Sequence, residues 1–377
     1  MNRVLIVGLY DFPHGDAPSN RLLSIAKTFR HAGFDPLVIS QGSARSGSVD
    51  DIPFTSIRRE ASGSWGRFAR RFATASRVSR ATGDVRSVAC VYTTLGSLSP
   101  SLFFLYRFIW RRPLIVDVME WFEPSQYQRG KLSLDYWRFW LKFNALRSAN
   151  IVGITKTICN EFERRGCRTI RIPPQVDVDN FPPHRAVDTL DRIELFYAGT
   201  AARKDHLGVA LNGLRDLIPD ERARIRFTIA GPTRKELVDL VGSEEALADI
   251  TPSLNIIGRI PRSELLAWLA RSHFTVLLRP ISRYSMAGFP SKIPETLAAG
   301  TPPLLNMTSD LHLYLKDGIS CILVADCSAS SFSDSLRRTL SLSAPEWLAL
   351  SEGARLCAAD HFDFRQWVEP LKAFVPK

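Results

Sequence analysis

Residues 289–305 read FPSKIPETLAAGTPPLL and carry the signals of one helix and one buried strand. Ser291 can cap the start of a helix, Pro294 fits its first turn, and Gly300 is suited to end it. The apolar run Pro303–Leu305 then predicts a short buried strand. The segment is therefore typical of one repeating unit of an α/β sheet.

The start of this helix also predicts a phosphate site. A helix N-terminus offers unpaired N–H groups and a positive dipole end. Lys292 adds a point charge there, and Glu295 can accept hydrogen bonds from the two vicinal hydroxyls of a ribose. Together these groups fit a nucleotide diphosphate. A plain capped turn without a ligand is the alternative.

Strand-like and helix-like runs alternate on both sides of this segment, which predicts doubly wound parallel sheets. The alternation breaks at two Pro-Pro pairs that flank the polar stretch QVDVDNF, and then restarts. We therefore predict two α/β domains whose sheets face each other across a ligand-binding cleft. The predicted parts are an N-terminal domain (1–173), a linker (174–190), a second domain (191–360) and a C-terminal helix (361–377).

Two further basic clusters are expected at the carboxyl edge of the second sheet. Arg203 and Lys204 follow its first strand in AGTAARKDH, residues 198–206. Arg279, Arg283 and Tyr284 lie in LRPISRYSMAG, residues 278–288. Three basic clusters at one edge favour an anionic ligand, although each cluster alone is equally typical of a solvated turn.

Residues 277–318, LLRPISRYSMAGFPSKIPETLAAGTPPLLNMTSDLHLYLKDG, resemble the donor-binding core of glycosyltransferase family 4, whose members are retaining enzymes of the GT-B fold. The similarity is greatest to bacterial polysaccharide-assembly members with an R-Y-x-x-A-G-F-P-[ST]-K motif. Weaker similarities follow in order along the chain: DAPSNRLLSIAKTF (16–29), VDVMEW (116–121), IPPQVDVDNF (172–181) and YAGTAARKD (197–205).

This resemblance implies two Rossmann-like domains, a C-terminal crossing helix, and metal-independent transfer from a UDP- or GDP-linked sugar with no further cofactor. Arg203, Lys204 and Lys292 would stabilise the leaving diphosphate, since no protein nucleophile is obvious. Glu295 matches the ribose-binding glutamate of an E-x7-E motif. The remaining donor-binding positions are Gly199, Thr200, Gly258, Arg259, Ile260, Arg279, Arg283, Tyr284, Gly288, Phe289, Pro290 and Ser291.

One position departs from the family. The first glutamate of E-x7-E would stand at 287, where this chain has alanine. That glutamate usually contacts the donor sugar, so the sugar is not predicted. Two alternatives to a transferase stay open: a catalytically degenerate GT-B protein that binds a nucleotide or glycan within a complex, and a GT-B sugar-nucleotide epimerase.

Acceptor-side signals are weaker. Gly15, Asn20 and Arg21 follow the first strand, and Asp117, Glu120 and Trp121 lie at the end of a later strand or just beyond it. Glu120 is a candidate for aligning or deprotonating the acceptor, with Trp121 stacking on a sugar. A buried structural acid is the alternative interpretation for this group.

The net charge of +11 lies entirely in the first half, because residues 1–188 hold 27 Lys+Arg against 16 Asp+Glu. Residues 58–80 contain seven arginines and one acidic residue, with Trp65, Phe68, Phe72 and Val78 near one helical face. This pattern predicts an amphipathic helix on an anionic membrane, and a core-facing helix is the alternative. We predict a cytoplasmic chain with free thiols and no nucleic-acid partner.

Overall fold

The computed structural model describes residues 2–13, 17–42, 46–57, 67–181, 189–200 and 205–376, except for the side chains of 67–72. Within these ranges the chain divides into two compact units. Unit 1 comprises residues 1–175, 287–289 and 363–377, and unit 2 comprises 176–286 and 290–362.

Unit 1 is built on an eight-stranded sheet with the order β3-β4-β2-β1-β5-β6-β7-β8. All neighbouring strands are parallel except β3 and β4, which form an antiparallel edge. The strands are β1 (Arg3–Val7), β2 (Asp35–Ser40), β3 (Ser46–Val49), β4 (Ile52–Ser56), β5 (Val88–Thr94), β6 (Leu114–Val118), β7 (Asn150–Gly153) and β8 (Arg168–Arg171).

Five helices connect these strands: α1 (Ala17–His31), α2 (Arg67–Thr82), α3 (Pro100–Phe104), α4 (Leu134–Ala145) and α5 (Lys156–Glu163). A π-helical turn, Leu105–Ile109, continues α3. The central strands are buried on both faces, as parallel strands under helices are. Helix α1 buries Leu22, Ile25 and Phe29 in this core.

Unit 2 is built on a six-stranded parallel sheet with the order β11-β10-β9-β12-β13-β14. Its strands are β9 (Ile193–Ala198), β10 (Ile225–Ala230), β11 (Leu254–Gly258), β12 (Phe274–Leu277), β13 (Pro303–Leu305) and β14 (Ile322–Leu323). Its helices are α6 (Leu207–Arg215), α7 (Pro219–Ala223), α8 (Arg234–Val241), α9 (Glu244–Ile250), α10 (Arg262–Arg271), α11 (Arg283–Ala287), α12 (Lys292–Ala298), α13 (Ala329–Leu340) and α14 (Ala344–His361).

The chain ends with residues that belong to unit 1. A 3-10 turn, Phe364–Trp367, leads into α15 (Val368–Phe374). Leu371 and Phe374 are buried in the same core as α1, and Arg168 of β8 donates hydrogen bonds to the carbonyl oxygens of Ala373 and Phe374.

The two parallel-sheet α/β units predicted from the alternation are confirmed, but some elements escaped it. Strands β3 and β4 are short and were not predicted. Helices α13 and α14 were also missed, although Ser343 and Glu346 form a capping box at the start of α14.

The predicted amphipathic helix is partly corrected. Helix α2 is described from Arg67 to Thr82, and residues 58–66 of the predicted segment lie outside the described residues. Val78, assigned above to the lipid-facing side, is fully buried in the protein, and Ala75 is buried beside it on the same helix. The described part of α2 thus follows the core-facing alternative, while Trp65 and the side chains of Phe68 and Phe72 lie outside the described residues.

A buried ion pair holds the carboxyl edge of the unit 1 sheet together. Arg21 of α1 donates from Nε to Asp117 Oδ2 at 2.7 Å and from Nη2 to Asp117 Oδ1 at 2.9 Å. Its guanidinium also donates to the carbonyl oxygens of Ile172 and Pro173, just beyond β8. Burial alone lowers the pKa of Arg21, but the charge of Asp117 outweighs it and raises that pKa above its usual value.

We predict that Asp117→Asn lowers the free energy of unfolding by about 3–5 kcal/mol, because it leaves a buried guanidinium charge without its partner. Urea unfolding followed by circular dichroism measures this change. The matched control is Asp135→Asn, which breaks the exposed Asp135–Arg138 pair and is expected to cost less than about 1 kcal/mol. Equal costs for the two variants would contradict the structural role of Asp117.

Candidate functional site

Three glycines follow adjacent strands at the carboxyl edge of the unit 2 sheet. Gly199 donates to the carbonyl of Ala230 at 3.0 Å, and Gly231 donates to the carbonyl of Gly258 at 2.6 Å. Gly231 has φ +112°, and a Cβ there would lie 1.9 Å from the carbonyl oxygen of Gly199. No other residue type fits position 231, so the edge beside Gly199 is bare backbone.

A buried carboxylate stands next to this edge. Asp205, just before α6, is 8% exposed. Its Oδ2 lies 2.6 Å from Lys292 Nζ and its Oδ1 lies 2.9 Å from Arg279 Nε. The Tyr197 hydroxyl can donate to Oδ2 at 3.3 Å. Asp205 therefore brings together two predicted cations that are 13 positions apart in the sequence.

The Asp205–Lys292–Arg279 cluster carries one negative and two positive charges. Burial by itself raises the pKa of Asp205, but the charges of Lys292 and Arg279 outweigh it and lower that pKa to about 2. The carboxylate stays ionised at neutral pH, and the cluster keeps a net charge of about +1. Such an arrangement attracts an anion.

Lys292 is the more accessible of the two cations. Its side chain is 38% exposed, whereas that of Arg279 is 14% exposed. The backbone of Arg279 is fixed by Asn306, whose amide accepts from the Arg279 N–H at 2.9 Å and donates to its carbonyl at 2.8 Å. The Lys292 ammonium lies 4.6 Å from the centroid of the Tyr197 ring. Arg279 thus holds Asp205, and Lys292 faces a ligand more readily.

The ammonium group also lies against the bare backbone edge. A Cβ at Gly199 would be 2.5 Å from Lys292 Nζ, so a side chain there would displace the lysine. The Tyr197 hydroxyl also lies 3.2 Å from the carbonyl oxygen of Thr200, and its one proton serves either this oxygen or Asp205 Oδ2. The predicted donor-binding residues Gly199, Thr200, Arg279 and Lys292 are thereby gathered at one place.

Helix α12 differs from the prediction at its start and agrees at its end. Ser291 has helical backbone angles and makes no side-chain capping bond, so the predicted serine cap is wrong. The physical reason is that Pro290 begins a turn before the helix, in which the Ile293 N–H bonds the Pro290 carbonyl at 3.1 Å. Gly300, with φ +69°, closes the helix as predicted.

Glu295, the predicted ribose acceptor, pairs with a residue that the sequence did not single out. Arg262 Nη1 lies 2.7 Å from Glu295 Oε1, and the glutamate side chain is 16% exposed. Arg262 is the first residue of α10 and lies two residues after Ile260, the last residue of the predicted base-binding segment 258–260. A carboxylate has two oxygens, so a diol would share Glu295 with Arg262.

Position 287, where alanine replaces the first glutamate of the E-x7-E motif, lies in a segment that belongs to unit 1. Ala287 is fully buried, and its carbonyl accepts from the Thr155 hydroxyl at 2.8 Å. The same threonine caps α5. A glutamate at 287 would need to bury its carboxylate here. Gly288 is half-buried, and Phe289 and Pro290 are buried.

The other donor-side candidates differ in exposure. Arg283 and Arg259 are exposed, Ile260 is half-buried, and Tyr284 is buried in α11. Arg203 and Lys204 lie outside the described residues, as does Gly15 on the acceptor side.

On the acceptor side, geometry separates two groups. Arg21 and Asp117 are 5% and 0% exposed and saturate each other, so the acceptor role predicted for them gives way to the structural alternative. Asn20, Glu120 and Trp121 are half-buried. The Trp121 ring lies 4.9 Å from the Phe143 ring and packs on it rather than standing alone.

Sequence reasoning missed Asp205, although it ends the quoted segment YAGTAARKD. Two basic residues precede it, and a single acid beside two cations is typical of a solvated turn. Its burial and its distant partners Lys292 and Arg279 appear only in the fold. Asn306 and Arg262 carry no local signal at all. Within the described ranges, no group of three or more His, Cys, Asp or Glu side chains is arranged to hold a metal ion.

Comparison with known proteins places the chain among glycosyltransferase folds. Residues 192–341 match the family model described as "Glycosyl transferases group 1". No curated protein matches the chain.

Three solved structures are similar over nearly the whole length. Sucrose-phosphate synthase from Thermosynechococcus elongatus is 12% identical, with 99% of this chain and 98% of that chain covered and a TM-score of 0.74. HepE of Anabaena in complex with UDP-glucose is 12% identical (99% and 100% covered, TM-score 0.71). WaaG, a glycosyltransferase involved in lipopolysaccharide biosynthesis, is 15% identical (99% and 99% covered, TM-score 0.69). The predicted GT-B fold is confirmed.

We predict that Asp205 makes the free energy of unfolding decrease as the pH falls from about 4 to about 2. The folded-state pKa of Asp205, about 2, is below the ordinary value of 3.8. The stabilisation by its ionised form is therefore complete above pH 3.8 and lost as the pH falls through 2. A shift of this size corresponds to roughly 2 kcal/mol. Urea unfolding at several pH values measures it.

Asp205→Asn should remove this part of the pH dependence. The exposed Asp220→Asn in α7 is the matched control and should retain it. An unchanged pH profile in Asp205→Asn would show that the carboxylate is not held by the two cations.

Proposed function

We propose that this chain, which has the GT-B fold and a second unit that matches glycosyl transferases group 1, is a retaining glycosyltransferase. It moves a sugar from a nucleotide-diphosphate sugar, UDP- or GDP-linked, to a glycan or lipid-linked glycan acceptor. The observation that carries the proposal is the Asp205–Lys292–Arg279 cluster, which sets an excess positive charge against a bare backbone edge.

The cluster explains how a diphosphate would be held. Asp205 keeps Lys292 in place without neutralising the pair of cations, and Gly199 lets a phosphate approach the Lys292 ammonium without a side chain between them. Negative charge builds on the diphosphate as the sugar leaves. Cations already in position stabilise that charge at little cost in reorganisation.

A nucleotide is further supported by the position of Glu295. Helix α12 carries Lys292 at its start and Glu295 one turn later, so both project from one rigid element. A ribose bound to Glu295 and a diphosphate bound to Lys292 would be parts of one ligand. The solved structures similar to this chain include HepE, determined in complex with UDP-glucose.

The chemistry we propose needs no protein nucleophile. The leaving phosphate takes the proton of the acceptor hydroxyl, and the new glycosidic bond forms on the face from which the diphosphate departs, which retains the configuration. The protein places the two substrates and stabilises charge. Glu120, half-buried after β6, is the carboxylate we propose for aligning the acceptor. A role in bacterial surface polysaccharide synthesis is in keeping with the similarity to WaaG.

One observation favours a second candidate. Ala287 is fully buried where related enzymes are expected to have a sugar-binding glutamate, and a protein without that contact could bind a nucleotide or glycan without turning it over. Slow hydrolysis of a nucleotide sugar by the pure protein would exclude this candidate. Isomerisation of the sugar without an acceptor would instead indicate an epimerase.

A panel of UDP- and GDP-sugars tested by thermal shift identifies the donor. A ligand at one hundred times its Kd stabilises the folded state by about 2.7 kcal/mol, which gives a clear rise in Tm. We expect one nucleotide class to raise Tm and the free sugars to have no effect. No shift with any nucleotide sugar would contradict the proposed donor site.

Lys292→Ala and Glu295→Ala should each lower transfer about 100-fold or more, because the first removes a charge that stabilises the leaving diphosphate and the second removes the ribose contact. Product formation from the donor identified by thermal shift measures this. Lys235→Ala, which removes an exposed lysine of α8 in the same unit, is the control and should leave transfer unchanged. Near-normal activity of either site variant in a folded protein would overturn the site.

A further inference from the structure

Unit 1 exposes an unusual amount of large apolar surface in two segments. The first is α3 with its π-helical turn, where Phe103, Phe104, Phe108 and Ile109 are exposed, Ile109 by 62%. The second is α4 with the residues before it, where Leu132, Leu134, Trp137, Trp140 and Leu141 are exposed, Leu132 by 84%. Exposed apolar surface of this extent is typical of an interaction site.

The two segments lie on the same face of the unit 1 sheet. Helix α3 connects β5 to β6 and α4 connects β6 to β7, and these three strands are consecutive in the sheet. Successive right-handed crossovers that proceed in one direction place their helices on the same face. Lys142 of α4 also donates to the carbonyl of Gly96 at 3.0 Å, in the loop before α3. We call this shared surface the aromatic face.

Helix α4 leaves nearly all of its side chains at least partly exposed. Among its twelve residues Phe143 is the one that is buried. The Trp137 indole N–H donates to the carbonyl of Lys131 at 2.8 Å, and its ring lies 5.5 Å from that of Trp140. The polar atom of Trp137 is thus satisfied within the protein while both rings remain accessible. Such rings suit a boundary between apolar and polar surroundings.

The charge around the aromatic face is strongly positive. Residues 99–112 and 129–142 together contain seven basic residues and one acidic residue, Asp135. Arg138 pairs with Asp135, whereas Arg107, Arg111, Arg129 and Lys131 are exposed around the apolar side chains. An anionic surface with an apolar layer beneath it complements this combination.

We propose that the aromatic face docks unit 1 onto an anionic lipid bilayer. Aromatic and aliphatic side chains enter the interfacial layer, and the surrounding arginines and lysines contact lipid phosphates. The contact is peripheral: within the described ranges, no helix is long and apolar enough to cross a membrane. The surface differs from the segment 58–80 that the sequence indicated, and it does not depend on the proposed donor chemistry.

Co-flotation with vesicles tests the docking without any nucleotide sugar. Wild-type protein should float with vesicles of phosphatidylcholine and phosphatidylglycerol in 0.1 M salt. Binding should weaken strongly with phosphatidylcholine alone or in 1 M salt, because the Debye length falls from about 10 Å to about 3 Å.

Two paired variants separate the apolar and the charged parts. Trp137→Ser with Trp140→Ser should reduce vesicle binding about tenfold or more, since burying one large apolar side chain changes an equilibrium constant by about that factor. Its control is Ile218→Ser with Leu356→Ser, which removes two residues of unit 2 that are 58% and 54% exposed. Arg107→Gln with Lys131→Gln should lower binding and flatten its salt dependence, and Arg226→Gln with Lys235→Gln should do neither.

Wild-type protein that ignores anionic vesicles would overturn the proposal, as would a Trp137→Ser, Trp140→Ser variant that binds them normally. Self-association of the wild type in sedimentation, lost in that variant and unaccompanied by vesicle binding, would show that the aromatic face is a protein interface instead. The thermal shift with nucleotide sugars is measured separately, so a failure to bind vesicles leaves the proposed donor site intact.

Discussion

Each unit is organised by one constraint: a carboxylate buried at the carboxyl edge of a parallel sheet must be paired with a cation. Asp117 in unit 1 and Asp205 in unit 2 meet this constraint differently. Asp117 has one cationic partner, Arg21, which is itself buried and also donates to two backbone carbonyls. Asp205 has two cationic partners, Arg279 and the more exposed Lys292. One carboxylate with one cation forms a neutral structural pair. One carboxylate with two cations keeps a positive charge and is therefore a candidate ligand site.

The excess charge in unit 2 is useful only because of what surrounds it. A Cβ at Gly231 would collide with the carbonyl oxygen of Gly199, and a Cβ at Gly199 would lie 2.5 Å from Lys292 Nζ. With glycine at both positions, bare backbone lies beside the Lys292 ammonium. The short helix that carries Lys292 also carries Glu295. Local turn geometry, burial and charge thus favour a ligand with an anionic group beside Lys292 and a diol beside Glu295, one helical turn away. A nucleotide diphosphate has both groups.

The aromatic face shows the opposite relation between pattern and burial. Trp137, Trp140, Leu141 and Phe143 are spaced as on one side of a helix, and such spacing ordinarily means that the apolar side packs against a core. Here most of it stays outside. Conversely, Val78, predicted to face lipid, is in the core. Periodicity identifies an amphipathic helix, but it does not reveal whether protein, lipid or another chain covers the apolar side.

The sequence by itself determined the parallel-sheet α/β architecture and indicated Lys292, Glu295 and Arg279 as candidate site residues, because apolar periodicity, helix-ending glycine and charge near a helix start are local properties. Only the tertiary structure decided which of these groups act together. Asp205 is one acid among several in the sequence and becomes the centre of the site through partners 74 and 87 positions away. Burial and pairing across the chain arise from packing, which no local pattern encodes.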